Sequence, residues 1–164
     1  MDVGLTDLEL GELSKVMGIK PLIYIGTKDK LDLVMNNYKN KFFIINLDNS
    51  LENGGGGGTH WTCFSTFDKY PIYFDSYSMV PPLEVEKYIK ERYKKFYYWN
   101  KQIQSVRATY CGYIVLMFLH ILYKDYILKN KSLFEFVNYF ESLFNTDDQS
   151  KNYYVINNYF SKFI

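Results

Sequence analysis

Cysteine and histidine are scarce in this chain, with two of each among 164 residues. Two cysteines cannot build a disulfide framework, so the reducing interior of a cell is the natural compartment. Charge of one sign is also lacking: 19 Lys and Arg face 18 Asp and Glu, a formal net charge of +1. That balance argues against a protein built mainly to grip polyanions. Long hydrophobic runs are missing as well. The longest, residues 113–123, carries His120 and falls far short of the ~20 apolar residues that cross a bilayer. The start, Met1-Asp2-Val3-Gly4, has neither the basic nor the apolar region of a signal peptide. The expectation is a soluble intracellular protein, one domain over residues 1–164, with no membrane contact and enough length to bury a core.

What is abundant is less specific. Aromatic residues make up 20%, with 17 Tyr and 13 Phe. Alongside frequent Lys, Asn and Ile, this composition reads as the mark of AT-rich coding DNA. Lys87, Lys90, Arg92, Lys94, Lys95 and Lys101 crowd one stretch, which reads as a solvated helix face. Five consecutive glycines occupy positions 54–58. A phosphate-binding loop would continue into Lys-Ser or Lys-Thr, whereas here Thr59-His60 follows. The run therefore predicts a flexible rim on a cleft, directly before a histidine.

Periodicity orders the rest. Thr6 can cap a helix whose apolar residues recur at helical spacing until Gly18. Residues 21–25 and 42–47 read as buried strands. Residues 60–66 and 70–75 read as two strands joined by a turn at 67–69. A hairpin closed there sets His60 opposite Asp75, with Cβ atoms about 5 Å apart. Residues 83–95 form an amphipathic helix after Pro81-Pro82, and 96–104 alternate loosely as a further strand. Residues 111–128 are apolar nearly all round, the pattern of a central buried helix. Two helices, near 133–144 and 150–163, close the chain. The class is α+β, with a small mixed sheet.

A thiol attacks as its thiolate, a form favoured beside a histidine and at a helix N-terminus. Cys111 begins the central helix and is followed by Gly112, where a substrate backbone could approach closely. Cys63, inside a strand, reads as a buried structural cysteine. His120 lies nine residues after Cys111 on the same helix, half a turn away at about 100° per residue, and cannot reach the thiol. His60 is left as the partner, with Asp75 to orient its imidazole. Zinc is not expected: His60 and Cys63 point to opposite faces of a strand, and Cys111 and His120 diverge. Acyl transfer also needs donors for an oxyanion. The Cys111 N–H is one, and the side-chain amide of Gln104 or Gln102 is a second.

These pieces, in this order, resemble the adenovirus maturation protease (adenain) family, whose wider relatives include the SUMO-specific proteases. The residues that carry the resemblance begin with a helix and Leu22-Ile23-Tyr24-Ile25-Gly26-Thr27-Lys28-Asp29-Lys30. Then come His60-Trp61, Tyr73-Phe74-Asp75, Gln104-Ser105-Val106, Cys111-Gly112 and Met117-Phe118-Leu119-His120. The likeness spans residues 5–122 and leaves the last helices unmatched. It implies a papain-like, adenain-like fold with the nucleophile at the start of the central helix. It also implies Cys111 as nucleophile, His60 as base, Asp75 as the orienting carboxylate and Gln104 as oxyanion donor. Trp61 and Gly112 would line the substrate cleft. No metal or organic cofactor enters that chemistry.

The implied activity is a thiol endopeptidase that trims viral capsid or core precursors after Gly-rich sites during virion maturation. Its place would be the virion and the host-cell cytoplasm, and its source a virophage or related DNA virus. Adenoviral relatives take a viral peptide activator through a cysteine upstream of the glutamine, and use DNA as a cofactor with a strongly basic surface. Around Tyr93 this chain has no cysteine, and its charge is near neutral. A non-covalent activator or none is expected, without DNA. The alternatives are a protease acting on host ubiquitin-like modifiers, a non-catalytic peptide-binding virion component, and nucleic-acid binding through the 87–101 face.

Overall fold

The computed structural model describes residues 4–34, 39–48 and 60–164. The glycine run at 54–58, predicted as a cleft rim, lies outside the described residues. Thr6 opens the first helix as its position predicts. Its hydroxyl accepts from the Glu9 N–H while the Glu9 carboxylate accepts from the Thr6 N–H, a reciprocal cap that fixes α1 at Asp7–Val16. Gly18 follows at φ 77°, a left-handed turn that a side chain resists.

Among the described residues five strands form one sheet in chain order: β1 (Ile23–Thr27), β2 (Phe42–Asn46), β3 (Trp61–Ser65), β4 (Ile72–Phe74) and β5 (Tyr97–Tyr98). The outer pairs β1–β2 and β4–β5 run parallel, and the inner pairs are antiparallel. The strand predicted at 21–25 starts two residues later. Pro21 has no N–H to give a ladder and sits in a 3-10 turn, Lys20–Leu22. The strand predicted at 96–104 shrinks to Tyr97–Tyr98, because the polar groups beyond it bond elsewhere, as described below.

Among the described residues four further α-helices follow, α2 (Leu83–Arg92), α3 (Cys111–Ile121), α4 (Leu133–Ser142) and α5 (Gln149–Phe160), with a 3-10 helix at Lys28–Val34 and a π-helical turn at Leu122–Ile127 that continues α3. Strand alternation divides the core in two. Phe42, Ile44, Cys63, Ile72 and Phe74 face α3 and the other helices on its side. Phe43, Ile45, Phe64 and Tyr73 face α2 through Val85, Tyr88 and Ile89. Nine of the eleven residues of α3 are buried, so it is the central helix that its all-round apolarity predicts. The Phe74 ring stacks on Phe118 at 4.3 Å between centroids, with Phe140 edge-on to both. Such pairs are worth about 0.5–1.5 kcal/mol each beyond area burial. The aromatic excess fills this core, whatever its origin in coding bias.

The β3–β4 hairpin places the site. Tyr70 N–H closes the turn onto the Phe67 carbonyl at 2.9 Å, with Lys69 left-handed at φ 69°. The paired residues are Cys63–Phe74, Phe64–Tyr73 and Ser65–Ile72. Carried outward, that register sets Thr62 opposite Asp75 and Tyr77 opposite His60. The predicted His60–Asp75 register is therefore corrected by two residues. Tyr70 belongs to the turn, and Pro71 has no N–H for the ladder. An even slip preserves parity, so Asp75 stays on the same face as His60.

Candidate active site

His60 stands directly before β3, and its carbonyl accepts from the Leu47 N–H at 3.1 Å. Its Nε2 lies 2.8 Å from Oδ1 of Asp75, the first residue after β4. The same Oδ1 accepts the Tyr77 N–H at 2.8 Å, so the oxygen is held from two directions. A carboxylate only accepts, which assigns the Nε2 proton to this bond and leaves Nδ1 as the working nitrogen. The pair is dry: Asp75 is 1% exposed and His60 9%.

Cys111, in the first turn of α3, is a neighbour of His60 and is itself buried. Burial opposes a charge on His60. The hydrogen bond and negative charge of Asp75, with Cys111 close by, outweigh it and raise His60 to about 9. Among the described residues, Nδ1 of His60 and Oδ2 of Asp75 have no aligned hydrogen-bond partner. Thiol and imidazole are thus neighbours without an aligned hydrogen bond between them.

Tyr77 completes this half of the site, and sequence reasoning missed it. Its ring lies over the imidazole with centroids 4.4 Å apart and planes 30° from parallel. Burial, then the charges of Cys111 and Asp75, push its phenol up, which ties all three groups to one locus. The signal was parity: two residues beyond Asp75, Tyr77 shares its face.

The other half comes from the irregular stretch before α3. Gln104 is fully buried. Its Oε1 accepts from the Ser76 hydroxyl at 2.6 Å, and its Nε2 donates to the Ala108 carbonyl at 2.7 Å. A primary amide has two N–H groups, so one remains. Gln102, the alternative donor, gives its amide to the Gln104 carbonyl at 2.9 Å. Asp75, Ser76 and Tyr77 thus serve both halves from consecutive positions.

Two expected cleft residues need correction. Trp61 is 1% exposed, and its indole N–H donates to the Leu5 carbonyl at 2.8 Å. It is a core side chain that anchors the N-terminal segment, because β3 turns it toward α3. Gly112 is buried too: a Cβ there would meet the Leu5 Cβ at 3.0 Å. The absent side chain makes room for Leu5, not for a substrate backbone.

The remaining candidates fall outside the site. Cys63 is fully buried, and burial raises its thiol well above the usual range. His120 meets the Tyr159 hydroxyl and the Phe163 ring. Burial, with Lys124 and Lys162 nearby, lowers it to about 4. Among the described residues, no three His, Cys, Asp or Glu side chains converge as metal ligands. In the basic stretch Lys90 pairs with Glu86, Lys101 with Glu141, and Arg92 lies over Tyr88.

No family model and no curated protein matches the sequence. Among solved structures, the ASFV pS273R protease superposes with a TM-score of 0.50, covering 94% of this chain and 67% of that one at 16% identity. At that identity the likeness is one of fold. This chain shares the α+β fold of the ASFV pS273R protease, and the match does not single out the adenovirus branch.

Proposed function

We propose that this chain is a cysteine endopeptidase with Cys111 as nucleophile. The observation that carries the reading is the buried His60–Asp75 pair at 2.8 Å, with Nδ1 unpartnered and a cysteine at a helix start beside the imidazole. Nδ1 takes the thiol proton, the sulfur bonds to the scissile carbonyl carbon, and the imidazolium returns the proton to the leaving amine. Asp75 keeps Nε2 protonated and the ring in place. No side chain caps α3, which leaves its first N–H groups for the oxyanion beside the unused N–H of Gln104.

The substrates are viral capsid or core precursors cut after glycine-rich sites, within the virion and the infected cell's cytoplasm. Burial of the reacting groups supports that class: Cys111 is 5% exposed, a depth that suits a backbone without side chains. Both free cysteines are buried, which favours an activator, where one is used, that binds without a disulfide.

Iodoacetamide should label Cys111 at least about a hundredfold faster than Cys63, whose thiol is buried and uncharged. Cys111→Ala should abolish cleavage of the encoding virus's capsid precursors, read by sequencing new termini. Equal labelling of both cysteines, or undiminished cleavage, would refute the assignment. Cleavage of a Gly-Gly modifier fusion in place of capsid precursors would move the substrate to host modifiers.

A further inference from the structure

Residues 99–110, between β5 and α3, form neither helix nor strand, yet they carry the amide proposed for the oxyanion. An irregular segment fixes a donor only if its own polar groups are tied down. One side is tied from the end of β4: the Ser76 carbonyl accepts the N–H groups of Ile103 at 2.8 Å and Gln104 at 3.0 Å. The other side is tied from the first turn of α5. Gln149 Nε2 donates to the Ile103 carbonyl at 2.9 Å and Asn152 Nδ2 to the same oxygen at 3.2 Å. Gln149 Oε1 accepts from the Tyr110 hydroxyl at 2.7 Å and from the Ser105 N–H at 3.4 Å.

Asn152 is fully buried, and its other bonds go to the Asn145 backbone at 2.9 Å. Burying an amide is costly unless every bond is made, and an apolar residue would fill a simple core position more cheaply. Farther along, α5 does pack that way, through Ile156 and Phe160. The polar start of α5 therefore serves the loop.

We propose that Gln149 and Asn152 are positioning residues: they hold residues 103–110 so that the unused N–H of Gln104 is aimed at the carbonyl under attack by Cys111. The inference rests on the proposed roles of Cys111 and Gln104. Loss of a true oxyanion donor costs about 10²–10³ in rate. Loosening its support should cost about tenfold or more.

Two reactions of Cys111 separate positioning from general structure. Alkylation by iodoacetamide forms no oxyanion. Acylation by p-nitrophenyl acetate does: sulfur bonds to the acetyl carbon and p-nitrophenolate leaves. Gln149→Met and Asn152→Leu in the full chain should slow acylation about tenfold while alkylation keeps its rate and pH profile. That unchanged alkylation also certifies the fold. Gln149→Glu, which keeps the acceptor for Tyr110 and Ser105, should recover part of the loss, and Gln104→Ala is the reference. Wild-type acylation in both test variants, with Gln104→Ala slowed, would overturn the proposal and leave the function intact. A parallel fall in alkylation would make the two residues merely structural and also overturn it. An unslowed Gln104→Ala would remove the oxyanion role itself, and the proposal with it.

Discussion

Replacing Asp75 with asparagine removes a charge from the site while keeping its geometry. The Tyr77 N–H, at 2.8 Å, holds an oxygen at the Oδ1 position, so the amide still accepts from His60 Nε2. What changes is the stability of the imidazolium. His60 sits at about 9 against an ordinary 6.5, which at about 1.4 kcal/mol per pH unit is on the order of 3 kcal/mol in favour of the cation. Burial works against that preference; Asp75 supplies it by hydrogen bond and charge, with Cys111 close by. Losing the Asp75 charge should lower the His60 midpoint by about one to two pH units. The chain has only two histidines, so imidazole NMR resolves both in one titration. One should titrate near 9 and the other, His120, near 4. Asp75→Asn should move only the first. The alkaline limb of peptide cleavage, where the imidazolium acid is lost, should fall with it. A high midpoint that stays near 9 in Asp75→Asn, or two wild-type histidines near 6.5, would refute the electrostatic argument.

Linkage gives the two histidines opposite effects on folding. The stabilisation from His60 is whole below 6.5 and is lost as pH rises through about 9. That tied to neutral His120 is whole above 6.5 and is lost as pH falls through about 4. Discounted for its partial exposure, the His120 loss is on the order of 1–2 kcal/mol, and urea melts of His120→Gln should show a flatter acid limb. An acid limb unchanged by that substitution would assign the loss to other groups. Gly112→Ala sets a Cβ 3.0 Å from Leu5, overpacking that costs about 1–3 kcal/mol and several degrees in Tm. Adding Leu5→Gly, which alone removes the Cβ that is met, should relieve the clash, and an unchanged Tm in the single variant would sink the packing argument. Tyr77→Ala removes the ring stacked on the imidazole and should slow Cys111 acylation about tenfold. Wild-type kinetics would take Tyr77 out of the site.

Much of this was legible in the sequence because it rests on parity and phase. Helical phase separates His120 from Cys111, and strand parity keeps Asp75 on the face of His60 despite a register error of two residues. Those signals are local and survive small mistakes in turn length. What stayed hidden depends on contacts far apart in the chain. Leu5 packs on Gly112 and bonds Trp61, 56 positions away, so a glycine beside a cysteine looked like room for substrate. Gln149 and Asn152 reach residues more than 40 positions upstream, and no local pattern marks them. The parallel β4–β5 pair was equally silent, since two tyrosines carry no period.

The consecutive placement of Asp75, Ser76 and Tyr77 makes the proposed proton-transfer and oxyanion machinery a single mechanical part. Shifting this tripeptide by a fraction of an ångström would misalign imidazole and amide together, leaving no half-working intermediate. A small molecule wedged behind Ser76 would then block the proposed chemistry without touching sulfur, and would spare other proteins' thiols that a cysteine-reactive inhibitor would hit.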